Sequence, residues 1–159
     1  MTEKADFNAE EWSQVLAGPP AAGMRVVIAE RGGTIRESLA IGHAYEDARK
    51  EQGSSAILDE IVSDQPSLDP KQVEDPSNPG PSLMKELREA VETLERHAEP
   101  DDVDAYKRFI VDLAQRVASA KKEGGVLGIG GKPISDKEQA ALDEIASTLG
   151  VEPAPGSTG

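Results

Sequence analysis

Imidazoles, thiols and activated hydroxyls carry most side-chain chemistry, and this chain has few of them. It holds two histidines, His43 and His97, and no cysteine. Thiol catalysis, disulfides and Cys-based zinc sites are therefore excluded. His43 and Glu46 stand at i,i+3, whereas di-iron bundles use the reverse order, Glu-x-x-His, in several copies. His97 follows Leu94 where that motif needs Glu, and it suits a helix C-terminus, where the dipole favours a cation. No serine sits in a Gly-x-Ser-x-Gly elbow. Carboxylates are so abundant, 30 in all, that two close together in sequence carry no information. What remains for an enzyme is an acid–base site made of carboxylates with His43 or His97.

The glycine-rich stretch Gly124-Gly125-Val126-Leu127-Gly128-Ile129-Gly130-Gly131-Lys132-Pro133 invites a phosphate-binding reading. A P-loop needs Ser or Thr after Gly-Lys and Gly five residues before the second glycine; here Pro133 and Val126 stand there. A dinucleotide fingerprint fails at Pro133 as well. An interhelical turn is the expectation, with a backbone anion nest at the Ser135 helix start as the remaining alternative. Asp101-Asp102-Val103-Asp104 lacks the turn glycine and closing glutamate of a calcium loop.

These side chains sit on elements that read as helices. Asn8 to Glu11 has capping-box spacing, flanked by Phe7 and Trp12 as a hydrophobic staple. The first helix is expected to stop near Gly18. Pro19 and Pro20 would then open a second helix ending at Gly32-Gly33. Thr34 to Glu37 is another capping box, starting a helix with Ile35, Leu39, Gly42 and Tyr45 on its apolar stripe, which runs to about Gln52. Ser54 or Ser55 caps a short helix carrying Ile57, Leu58, Ile61 and Val62. From Ser82, Leu83, Met84, Leu87, Val91, Leu94 and Ala98 recur at helical spacing. Asp101 is expected to cap the next helix, with Val103, Tyr106, Phe109, Ile110, Leu113 and Val117 on one face. A short turn makes these two helices an antiparallel hairpin. Asp104–Arg108 and Asp112–Arg116 stand at i,i+4 in the favourable order. Ser135 to Glu138 is a third capping box, and Gly150 closes the last helix.

The expected fold is all-α, with six or seven short helices in two helical halves. Residues 1–6 read as a disordered N-terminus, 7–63 as the first half and 82–150 as the second. Residues 64–81 hold five prolines and form a Pro-rich linker or surface loop. Residues 151–159 read as a disordered tail. Aromatic residues make up only 3 %, so the core must come from Leu, Ile, Val and Ala, which suits helix packing better than a sheet.

A net charge of −13 repels nucleic acid and anionic lipid and can attract cations or a basic partner. No run of about 18 apolar residues exists to span a membrane. The acidic N-terminus lacks the features of a signal peptide, so the cytoplasm is the default compartment. The amphipathic hairpin can present a groove to a partner helix, lined by Leu83, Leu87, Val91, Leu94, Tyr106 and Phe109.

The segment GGKPISDKEQAALDEIASTLGV resembles the last turn and helix of the tellurite-resistance TerB-like helical family. AERGGTIRESLAIGHAY is similar to a second, degenerate copy. The resemblance implies a helical fold in two related halves, a stress-related setting and divalent-cation binding. Glu37 and Glu138 match the family's helix glutamate. The family's turn aspartate is replaced by Gly130 in one copy and by Arg31 or Gly32 in the other. The reading that follows is a non-enzymatic adaptor with a protein partner and no cofactor. A TerB-type cation module using Glu37 and Glu138 is the first alternative, and the carboxylate–histidine enzyme the second.

Overall fold

In the structure, a computed structural model, the described residues are 2–29, 35–53, 55–66, 68, 71, 73–120 and 134–151, the backbone alone at 35–37. Six α-helices carry the fold among them: α1 (Ala9–Val27), α2 (Ile35–Lys50), α3 (Ala56–Ser63), α4 (Gly80–His97), α5 (Pro100–Ala120) and α6 (Asp136–Leu149). The fold is all-α. The segments before and after the Pro-rich stretch share one core, because α1 packs on α4 and α5 while α2 packs on α5.

Local chemistry sets most helix ends. At α1, Asn8 Oδ1 accepts from Glu11 N (2.8 Å) and Glu11 Oε2 accepts from Asn8 N (2.9 Å), closing the capping box. Phe7 packs on Trp12 with ring centroids 5.7 Å apart, as the staple requires. Ser135 and Glu138 close the same box at α6, and Gly150 takes φ 73° at its C-cap. Ser55 caps α3; Ser54, like Thr34 and the 124–133 glycine-rich stretch, lies outside the described residues.

Three helix boundaries differ from expectation. Helix α1 does not stop at Gly18: it runs through Pro19 and Pro20 and ends at Val27. Proline lacks an N–H, so the carbonyls of Val15 and Leu16 lose their helical donors. The buried Tyr106 hydroxyl donates to Val15 O at 2.7 Å and replaces one of them. Gly18 makes the approach feasible, since a Cβ there would stand 2.1 Å from Tyr106 Oη. Helix α4 starts at Gly80 rather than Ser82, with Pro81 in its first turn. Helix α5 starts at Pro100, so Asp101 is a first-turn acid and not the cap; Glu99 O accepts the first helical bond, from Val103 N at 3.1 Å.

Helices α4 and α5 touch each other only sparingly, because α1 fills the angle between them. Residues 2–6, expected to be disordered, are built into the fold. Lys4–Asp6 form a 3-10 turn, and Thr2 is buried against the start of α5. Thr2 N donates to Asp102 Oδ2 (3.3 Å), Glu99 N donates to Thr2 Oγ1 (3.0 Å), and Ser55 Oγ donates to Asp102 Oδ1 (2.8 Å). These bonds give a short polar segment the partners that sequence reading could not supply, and so order it.

Candidate functional site

The six residues expected to line a partner groove are core. Leu83, Leu87, Val91, Leu94, Tyr106 and Phe109 are at most 8 % exposed. The α4–α5 angle is filled by this chain's own α1, and of the six Phe109 also lines a hollow on the other side of α5. Burial pushes the phenols of Tyr45 and Tyr106 far up, so neither serves as an acid or base near neutrality.

On the other side of α5, α2 packs against it and leaves surface hollows along the seam. Ala40, Ala44 and Ala48 form an i,i+4 row on α2, and with Leu58, Ala105 and Phe109 they make an apolar floor, of which Ala48, Leu58 and Ala105 are half-buried and Ala40, Ala44 and Phe109 almost wholly buried. Two hollows lie over it, about 340 Å³ towards α3 and about 720 Å³ towards Leu39. Asp47 and Arg116 line both and form the partition between them. Arg116 Nη1 donates to Asp47 Oδ2 on α2, and Arg116 Nε donates to Asp112 Oδ2 (2.9 Å) on its own helix. The hydrogen bond from Arg116 holds the Asp47 carboxyl below its ordinary range, and in return the Arg116 guanidinium is held more firmly charged. Together the two hollows form a trough along α2 from Leu39 to Lys50, about 17 Å at 1.5 Å per residue, crossed by the Arg116–Asp47 ion pair.

Its lips differ in sign. The α2–α3 lip carries His43, Glu46, Asp47, Glu51 and Asp59; the α5 lip carries Arg108, Asp112 and Arg116. Among the described residues Glu46 and Glu51 have no ion-pair partner. Arg108 reaches only the carbonyl of Asp104, Nε to O at 3.4 Å, and not its carboxylate.

Leu39, expected in the apolar stripe, is 53 % exposed at one end of the trough. The buried face of α2 is instead Ala40, Ile41, Ala44 and Tyr45, where Tyr45 meets Phe109 edge-on with centroids 5.3 Å apart. The alanine row escaped sequence reading because three single methyls give almost no hydrophobic signal. Only its i,i+4 spacing could have revealed it.

The histidines are placed apart. His43 is exposed on the α2 lip, and no hydrogen bond joins it to a carboxylate or to Ser119 among the described residues. His97 ends α4, where Nε2 lies 3.2 Å from Glu11 Oε1 and the ring stacks edge-on against Phe7. Glu138 is 1 % exposed and accepts from Ser135 N in the capping box. The Glu37 side chain lies outside the described residues. No group of three or more His, Asp or Glu among the described residues is arranged to hold a metal ion. No described helix is long and apolar enough to cross a membrane.

Comparison with protein-family models, with curated proteins and with solved structures finds no match to this chain.

Proposed function

We propose that this chain is a non-enzymatic adaptor that docks a protein segment in the trough between α2 and α5. One observation carries the reading. The α4–α5 angle of the same helix α5 is filled by a helix, α1, while the α2–α5 trough offers an apolar floor and stays open. Grooves between helices that are apolar below and charged at the rim suit helix-in-groove recognition. The polar groups at the rim support binding better than chemistry. Asp47 is engaged by Arg116, and among the described rim residues no base, nucleophile and orienting group stand in hydrogen-bond series. The resemblance to the TerB-like family adds a stress-related setting to this reading.

A photo-crosslinking residue at Leu39, exposed at one end of the trough, against one at Ser147, exposed on α6, tests it in the native cell. Capture of one discrete protein from Leu39 and none from Ser147 is the expected result. Equal capture from both positions, or none from either, would overturn docking in the trough.

A further inference from the structure

We infer that the occupant of the α2–α5 trough is an amphipathic helix with a basic flank, its Lys or Arg side chains lying against α2 and one acidic side chain lying against Arg108. This deepens the docking reading and rests on it. The shape argument is internal to the molecule, since the neighbouring groove of α5 accepts a helix. The charge argument comes from the lips.

Five carboxylates line the trough against two guanidiniums. Arg116 already engages Asp47 and Asp112, which leaves Glu46, Glu51 and Asp59 on one side and Arg108 on the other. Asp59 accepts from Gly53 N (3.0 Å), which fixes its carboxylate at the α3 end. Glu46, on α2, lines one hollow and Glu51, one residue past its end, lines the other; five positions correspond to an axial rise of about 7.5 Å. Basic side chains one to two turns apart on a docked helix span that interval. Their stems cover the alanine floor while their charged heads reach the lip. Arg116 shows in cis how a guanidinium is held there, bridging from α5 to Asp47. The Arg108 guanidinium sets the orientation, because it repels a basic flank on its own side. The net charge of −13 steers such a partner from a distance.

Two synthetic 18-residue helical peptides test the inference. They share one apolar row; one carries the basic flank with a single opposed Glu, the other the reversed charges. Binding to the full chain is read by fluorescence anisotropy and by amide shifts in NMR. The basic-flank peptide should bind, shift amides of α2, α3 and α5, and weaken as salt rises. Glu46→Lys with Glu51→Lys should weaken it about tenfold and bring the reversed peptide up by a similar factor. Ala48→Leu, which fills the floor, should abolish both, with circular dichroism confirming that each variant is folded.

The inference is overturned if both peptides bind wild type equally, if the shifts fall on another face, or if Ala48→Leu has no effect. It is also overturned if sedimentation shows the chain pairing with itself through a contact that Ala48→Leu removes, since the occupant is then a second copy. Should crosslinking from Leu39 capture a partner whose helix is acidic, the partner chemistry fails while docking in the trough stands.

Discussion

Helix α5 has two sides, and the chain treats them differently. Towards α4 it receives α1. Val15 and Ala22 of α1 are fully buried there, Gly18 lets Tyr106 reach a backbone carbonyl, and a Cβ at Gly23 would stand 3.0 Å from Leu113 Cδ2 of α5. Towards α2 it meets the buried Tyr45 ring as well as alanines, and the charged groups sit at the rim in water. The Tyr106 hydroxyl and the Val15 carbonyl on the first side are committed to each other in a low-dielectric setting, where the bond is costly to disturb. Polar groups on the second side are screened and replaceable. Buried packing lies on both sides of α5, and the second side adds hollows rimmed by exposed charged groups.

Variants can break this contrast. The largest effect is expected from Gly18→Ala, whose Cβ would stand 2.1 Å from Tyr106 Oη and 2.9 Å from Ala90 Cβ. Overpacking of this kind costs about 1–3 kcal/mol, and losing the tyrosine bond adds to it. Urea unfolding will read a fall near the top of that range. Tyr106→Phe should cost about 1–3 kcal/mol by leaving Val15 O buried without a donor. In a Pro19→Ala background the residue-19 N–H returns to that carbonyl, so the same substitution should cost clearly less. Additive costs in the double-mutant cycle would refute the substitution of hydroxyl for amide.

Acid should act on the buried side as well. Burial raises the Asp102 carboxyl, but hydrogen bonds from Ser55 and Thr2 outweigh it and leave the group below its ordinary range. A carboxyl depressed in the folded state stabilises the fold above its unfolded pKa of about 3.9, and that contribution is lost as pH falls through the lower folded value. Thermal melts of wild type and Asp102→Asn should therefore differ by about 1 kcal/mol near neutrality and converge below about pH 4. A gap that persists at acid pH would show that packing, not charge, makes the difference.

Across the trough the effects should be small. Arg116→Ala removes ion pairs whose members are 40–57 % exposed, and should cost no more than about 1 kcal/mol. Ala48→Leu should change stability by no more than about 0.5 kcal/mol in either direction, as surface substitutions do. A large loss from either would mean that the trough is part of the core rather than a free surface.

The parts of the fold legible in the sequence are those set by contacts a few residues apart. The Asn8–Glu11 and Ser135–Glu138 boxes, the Phe7–Trp12 staple, the Ser55 cap and the buried faces of α4 and α5 all follow from local spacing. Reading failed where a distant residue supplied what the local sequence lacked. Tyr106, 91 residues from Val15, carries α1 through its prolines. Asp102, 100 residues from Thr2, orders the N-terminus. The trough failed for a related reason: its floor joins alanines of α2 and α5 that are about sixty positions apart, and its character depends on rim charges that look like ordinary solvated residues in one dimension.

The prolines of α1 also bear on the order in which the chain folds. A peptide of residues 9–27 alone would lack two consecutive amide donors in mid-helix, and nucleating a helix around that gap is unfavourable. Its missing bond is made only by a tyrosine that α5 must already hold in place. Helix α1 is thus the natural last arrival, turning helical as it docks. Its substitutions should mainly speed unfolding while barely slowing folding, and its amides should exchange with solvent at a lower opening free energy than those of α5.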